Sequence, residues 1–157
     1  ETMNIFVVDE NPVIAARQLC DKHVVKMILE SAQMLCTVAH EHGFSAPYKK
    51  AHPKHPCTLW AGKTADNWSW LIAHGLEMSA EYTRRYGRVH KSEEVIKWCA
   101  RLPIQFAGAP VLTPFAQAMP EQYKNECAVT AYRAYYHGEK ASFATWKSEV
   151  PQWWTAA

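Results

Sequence analysis

The chain has 157 residues and a mass of 17.9 kDa, the size of one globular domain. With 48% hydrophobic and 20% charged residues it can bury a core, which excludes disorder as its main state; a net charge of +2 excludes a polycationic tail, so any nucleic-acid surface must be local. No stretch reaches the roughly 18 uncharged apolar residues of a membrane span, and residues 5–8 are too short for a signal-peptide core. A soluble protein without an export signal is therefore expected.

Five cysteines, Cys20, Cys36, Cys57, Cys99 and Cys127, form no C-x-x-C pair, so reduced thiols in a cytoplasmic compartment are expected. Glu1 and Thr2 precede a Met3-Asn4-Ile5-Phe6 run that reads as a natural start, which makes Met3 or Asn4 the expected working N-terminus. Asn11 before Pro12 reads as an N-cap with proline at the first helical position, opening a short helix through residues 13–19. Asp21 is placed to cap the next helix, which runs to about His42 and stops at Gly43. Val24, Ile28, Leu35 and Val38 mark one apolar line on it, with Val25, Leu29, Ala32, Cys36 and Ala39 beside it, so this helix should be mostly buried.

A loop rich in proline, lysine and histidine follows between Phe44 and Pro56. A long helical stretch then extends to Tyr86, interrupted near Gly62 and closed by Gly87. Ser92, followed by Glu93 and Glu94, reads as the cap of a shorter helix reaching Arg101. Four prolines in 103–120 make the next segment irregular. Residues 125–137 look helical and end at Gly138, and a further short helix reaches Trp146 before the Pro151-Gln152-Trp153-Trp154 tail. No internal repeat or strand alternation interrupts this pattern, so the expected fold is a single all-α domain with a long proline-rich loop, spanning residues 1–157.

The polar side of the second helix carries the first candidate chemistry. His23, Lys26, Glu30, Gln33 and Thr37 are spaced by 3 or 4 and share one face. Two readings stand: an ordinary solvated face with Lys26 and Glu30 as an i, i+4 pair, or a charged stripe lining a cleft, favoured by the wide apolar arc around the rest of the helix. A histidine, a lysine and a carboxylate together supply general acid/base chemistry at a sugar or base. The loop residues Lys49, Lys50, His52, Lys54 and His55, with Tyr48, combine cation donors and a ring, suited to phosphate contact and stacking. Arg84, Arg85, Arg88 and Lys91 form a second basic cluster, and the two are expected to meet on one face. No H-E-x-x-H or comparable spacing accompanies His52-x-x-His55, so neither a metal nor a cofactor is expected.

The Met-Asn-x-Phe start, Asp21-Lys22-His23-Val24-Val25-Lys26, the His55-Pro56-x-x-x-Trp60 turn and the Pro151-x-Trp153-Trp154 ending resemble the pyrimidine-dimer DNA glycosylase (endonuclease V) family and its small phage and bacterial relatives. The resemblance implies a compact all-α enzyme that binds damaged DNA, flips a nucleotide, attacks the sugar C1′ with its N-terminal α-amino group and cleaves the backbone by β-elimination. Its implied partner is duplex DNA with a damaged or modified base, in the host cytoplasm for a phage protein. Its implied catalytic set is the Asn4 amine with Lys22, His23, Lys26 and Glu30. The glutamate expected early in the first long helix falls near His23, beside Lys22, and Glu30, two turns on, is the acid able to substitute for it. The alternative is a non-catalytic phage-type accessory protein that binds a nucleotide or a host protein through the same cleft.

Overall fold

Among the described residues, 3–155 of a computed structural model, the elements are α1 (Pro12–Gln18), α2 (Asp21–Glu41), α3 (Pro56–Ala61), α4 (Ala65–Tyr86), α5 (Glu93–Ala100), α6 (Ala128–Glu139) and α7 (Gln152–Thr155), with a 3₁₀ turn at Glu121–Tyr123. No strand occurs there, as the helical spacing predicts. The reading of Glu1 and Thr2 as extraneous to a start at Met3 lies outside the described residues.

The starts and stops follow local chemistry. Asn11 Oδ1 accepts from the amides of Val13 and Ile14 at 2.9 and 3.1 Å, using two of the donors that a helix start leaves unpaired. Thr64 Oγ1 does the same for Asn67 at 3.0 Å to open α4, and Gly87, at φ 71°, closes it in the left-handed conformation.

The core is one continuous cluster centred on α2, which packs on α3, α4 and α5, while α1 lies on α4. Val24, Ile28 and Leu35 are fully buried, and each such side chain contributes about 1.5–3 kcal/mol. Gly75 lets α5 approach α4, since a Cβ there would stand 2.9 Å from Ile96 Cδ1.

Several sequence expectations need correction. Asp21 is the first residue of α2 rather than its cap; its carboxylate instead accepts from Arg85 Nη1 at 3.1 Å, Lys147 N at 2.9 Å and Thr145 Oγ1 at 3.2 Å, tying the segment before α7 to the start of α2. The Ser92 hydroxyl bonds Tyr48 OH at 2.9 Å and makes no cap bond. Val25 and Leu29 face solvent, because they lie on the outer arc of α2 where no element packs. α6 starts at Ala128 and runs through Gly138, where the Tyr123 ring fills the space a Cβ would need, so this glycine serves close packing rather than helix termination. Residues 140–143 form a turn and 144–146 are irregular, in place of a helix.

The proline-rich stretch is irregular but tightly held. Thr64 Oγ1 donates to Val111 O at 2.8 Å, Asn67 bonds Thr113 through both its amide oxygen and nitrogen, and Tyr132 OH donates to Ala116 O at 2.8 Å while accepting from Ala118 N at 3.2 Å. These buried side chains supply the backbone partners that a ladder would otherwise provide, and they bring Ala118 against the N-terminal segment.

Candidate active site

The N-terminal segment crosses the polar face of α2. Asn4 N donates to Glu30 Oε1 at 3.0 Å in a buried contact, and Lys26 Nζ lies 3.9 Å from Glu30 Oε2. The Asn4 side chain locks this arrangement: Nδ2 donates to Ala118 O at 2.7 Å, and Oδ1 accepts from the amides of Ile5 and Phe6 at 2.8 and 3.2 Å. Phe6 adopts φ 59°, a left-handed conformation costly for a bulky residue, so the surrounding contacts must hold it there. Its ring stacks on His23 with centroids 4.1 Å apart and planes 15° off parallel. His23 Nδ1 lies 2.6 Å from Tyr136 OH, which in turn donates to Cys20 Sγ at 3.6 Å.

The stripe is therefore an inward spine. His23 and Glu30 are buried against the N-terminal segment, and Thr37, also buried, pins the basic loop: its hydroxyl accepts from Ala51 N at 2.9 Å. Gln33 serves through its backbone, whose carbonyl accepts from Thr37 Oγ1 at 2.8 Å. His23, Glu30 and Thr37 are thus not part of an ordinary solvated face, but are covered by the N-terminal segment and the basic loop.

Beside Ala118, whose carbonyl holds the Asn4 side chain, a cavity of about 400 Å³ is lined by His55, Pro56, Met119, Lys124 and Tyr135, among others. Tyr135 links it to a lysine that sequence reasoning missed. Lys140 is 4% exposed, its Nζ lies 4.6 Å from the Tyr135 ring centre and 5.5 Å from that of Phe6, and it donates to Tyr135 OH at 3.4 Å. The signal available in sequence was Tyr135-Tyr136, five and four residues ahead of Lys140, about one helical turn away. Lys22 sits over the Phe143 ring at 4.4 Å, on the rim of the same aromatic group. Glu30, His23 and Lys140 thus gather around the Asn4–Phe6 segment, with Lys22 on the far side of Phe143. The cavity beside Ala118 and those of similar size beside Arg17 and Phe115 are lined by none of these side chains; Tyr135 connects the first of them to Lys140. Among the described residues no group of three or more His, Cys, Asp or Glu side chains is arranged to hold a metal ion.

Lys49, Lys50, His52 and Lys54 are exposed, as are Arg88 and Lys91. The Tyr48–Ser92 hydrogen bond places the start of the loop beside the end of the 84–91 segment, so the two basic runs adjoin. Two of the arginines, however, are committed elsewhere. Arg85, its side chain 1% exposed, donates to Leu19 O at 2.8 Å, Arg17 O at 2.9 Å and Asp21, satisfying carbonyls at the end of α1. Arg84 pairs with Glu77 and Glu81. The spacing that groups them in sequence turns Arg85 inward, toward the α1–α2 junction.

His55 is half-buried and caps α3, its Nδ1 accepting from Cys57 N at 3.0 Å. Burial, followed by the neighbouring His52, pushes its pKa down. Cys57, buried behind it, is pushed up to about 12 by burial.

The helical domain thus holds its N-terminal segment against a buried glutamate, with exposed basic runs on the loop and after α4. The family model of pyrimidine dimer DNA glycosylases matches residues 3–94, a span that includes Asn4, His23, Glu30, His55 and both basic runs. The chain belongs to the pyrimidine dimer DNA glycosylase family. No significant match is found among curated proteins or solved structures. Ala118 and Tyr135 of the cavity lie beyond the matched span, as do Tyr136, the partner of His23, and Lys140, the partner of Tyr135.

Proposed function

We propose that this protein is a DNA glycosylase/AP lyase acting on a damaged or modified base in duplex DNA, with the Asn4 nitrogen, freed as an α-amine by removal of the residues before it, as nucleophile. The observation that carries the reading is the 3.0 Å contact from Asn4 N to Glu30 Oε1, which would hold a terminal amine at hydrogen-bond distance from a buried carboxylate. An α-amino group, with pKa about 8, is partly neutral at physiological pH and can attack C1′ as the glycosidic bond breaks. Glu30 accepts the proton that the amine sheds on forming the Schiff base, and its charge stabilises the cationic sugar. A carboxylate at that spot can then serve the β-elimination that cuts the 3′ phosphate bond. Lys26 and His23 set the field around Glu30, and Lys22 borders the site.

The exposed cations Lys49, Lys50, Lys54, Arg88 and Lys91, with His52, would hold the phosphate backbone, and the cavity beside Ala118 would receive an extruded nucleotide. Duplex DNA is the partner on this reading. Borohydride reduction of the protein, processed to Asn4, on a duplex containing an abasic site tests the proposal, because only a Schiff base leaves a covalent adduct. Mass mapping of that adduct to the Asn4 amine is expected. Binding without any adduct would overturn the lyase reading and leave a DNA-binding accessory protein.

A further inference from the structure

We propose that His55 is a further catalytic residue of this site, its Nε2–H donating a hydrogen bond to the O2 carbonyl oxygen of the departing pyrimidine. The inference rests on the glycosylase reading above and assigns a different part of the reaction to a different residue. Three observations carry it. His55 lines the cavity that also contains Ala118, the carbonyl of which holds the Asn4 side chain, so the ring faces a space one hydrogen bond away from Asn4. Its Nδ1 is already an acceptor, taking the Cys57 amide at 3.0 Å, which fixes the proton of the neutral ring on Nε2. Finally, the turn that presents it is strained: His52 adopts φ 48°, and its carbonyl accepts from His55 N at 3.1 Å. Phe6 and His52 are the two non-glycine residues with positive φ among those described, one in the segment that carries Asn4 and the other in the turn that carries His55. Strain concentrated in this way is typical of functional groups held in place by their surroundings.

The other polar side chains of the cavity are less suited. Lys124 pairs with Glu121 at 2.7 Å, and Gln117 uses both ends of its amide on Asn125. The burial that lowers the pKa of His55 keeps it neutral near pH 7, and a neutral imidazole can stabilise charge on an oxygen without becoming an acid.

The step balances without further reactants. The Asn4 nitrogen forms its bond to C1′ and gives a proton to Glu30, while the C1′–N1 bond breaks and its electron pair moves into the pyrimidine ring and onto O2. The Nε2–H hydrogen bond stabilises that oxygen anion, and the released base takes its proton from water.

This assignment predicts a split that a DNA-holding role would not give. His55→Asn and His55→Gln each keep an oxygen able to accept from Cys57 N but cannot place a donor where Nε2–H lies. Each should slow single-turnover base release from a duplex carrying a cyclobutane thymine dimer by about 10–100-fold, the value of one hydrogen bond to a charged acceptor. Borohydride trapping on a duplex with a preformed abasic site, where no base has to leave, should keep the rate of the unaltered protein. Equal slowing on both substrates, or none on either, would overturn the assignment. Failure of the unaltered protein itself to trap abasic DNA or to release the base would instead overturn the glycosylase reading. Where a variant melts, the native protein decides: the His55 Nε2 resonance in ¹⁵N-imidazole spectra should move on binding a dimer duplex with 2′-fluorinated sugars, and an unmoved signal refutes the contact.

Discussion

Replacing Glu30 by Gln removes one charge at the contact that carries the proposed chemistry and little else. The amide oxygen of the variant keeps the shape and acceptor of Oε1, so the 3.0 Å bond from Asn4 N survives, while the 3.9 Å pairing with Lys26 loses its charge. Lys26 is well exposed, its side chain at 38%, so the lost ion pair should cost no more than about 1 kcal/mol of stability. The catalytic loss should be far larger. Without the carboxylate nothing beside the amine takes up its proton or offsets the cationic sugar, and general-base contributions of about 10²–10⁴ correspond to about 3–5 kcal/mol in the barrier. The assay is single-turnover formation of the borohydride adduct on abasic duplex, alongside affinity and thermal denaturation. The expected variant folds and binds normally but forms adduct about 10²–10⁴ times more slowly. An adduct rate within a factor of about three of the unaltered protein would refute the role of Glu30, because a merely positional carboxylate is replaced by the amide without loss.

Arg85→Ala should lower stability by about 3–5 kcal/mol in chemical denaturation, because it strands buried Asp21 and the carbonyls of Arg17 and Leu19; a loss under about 1 kcal/mol would contradict its structural role. Replacing Lys49, Lys50 and Lys54 together by Ala should weaken duplex binding on all sequences alike and flatten a log–log salt slope of about −3 to −4 by nearly 3, a change read from binding at several salt concentrations. His74 is fully buried, and desolvation pushes its pKa down to about 4, below the roughly 6.5 of the unfolded chain. Between those values the unfolded chain takes up a proton that the folded one refuses, so stability should fall by up to about 3 kcal/mol as pH drops from about 6.5 to about 4. Urea midpoints across that range check this, and a pH-independent difference between the protein and His74→Asn would contradict it.

The helical plan was legible because its signals are local: Asn11-Pro12, the apolar lines of α2 and the glycine at 87 each decide a boundary within a few residues. The errors came where a distant partner took over a local group. Asp21 and Ser92 have the right chemistry for caps, yet Arg85 and Tyr48, each more than 40 residues away, claim their oxygens. The spacing of His23, Lys26 and Glu30 showed one face but could not show what covers it, since Phe6 and Asn4 reach that face only through a left-handed turn that no periodicity encodes. Arg84 and Arg85 read as a basic patch although Glu81 lies three and four residues before them on the same helix; what the sequence hides is the burial of Arg85 against Asp21, 64 residues away. Lys140 was missed for the opposite reason: a lysine beside a turn looks solvated until three aromatic rings are found around it.

One helix, α2, furnishes both the centre of the core and the wall of the site, with fourteen of its residues buried. Its freedom to vary across descendants is correspondingly narrow: a change that improves packing at Met27 or Ser31 moves the neighbours of Glu30, and a change that retunes Glu30 disturbs the packing. Drift along this helix should be confined to outward positions such as Val25 and Leu29, with new specificity drawn from the loops and from residues 95–155. Lineages diverging from this protein would then keep the inner face of α2 as a fixed template while their exposed loops lose sequence similarity.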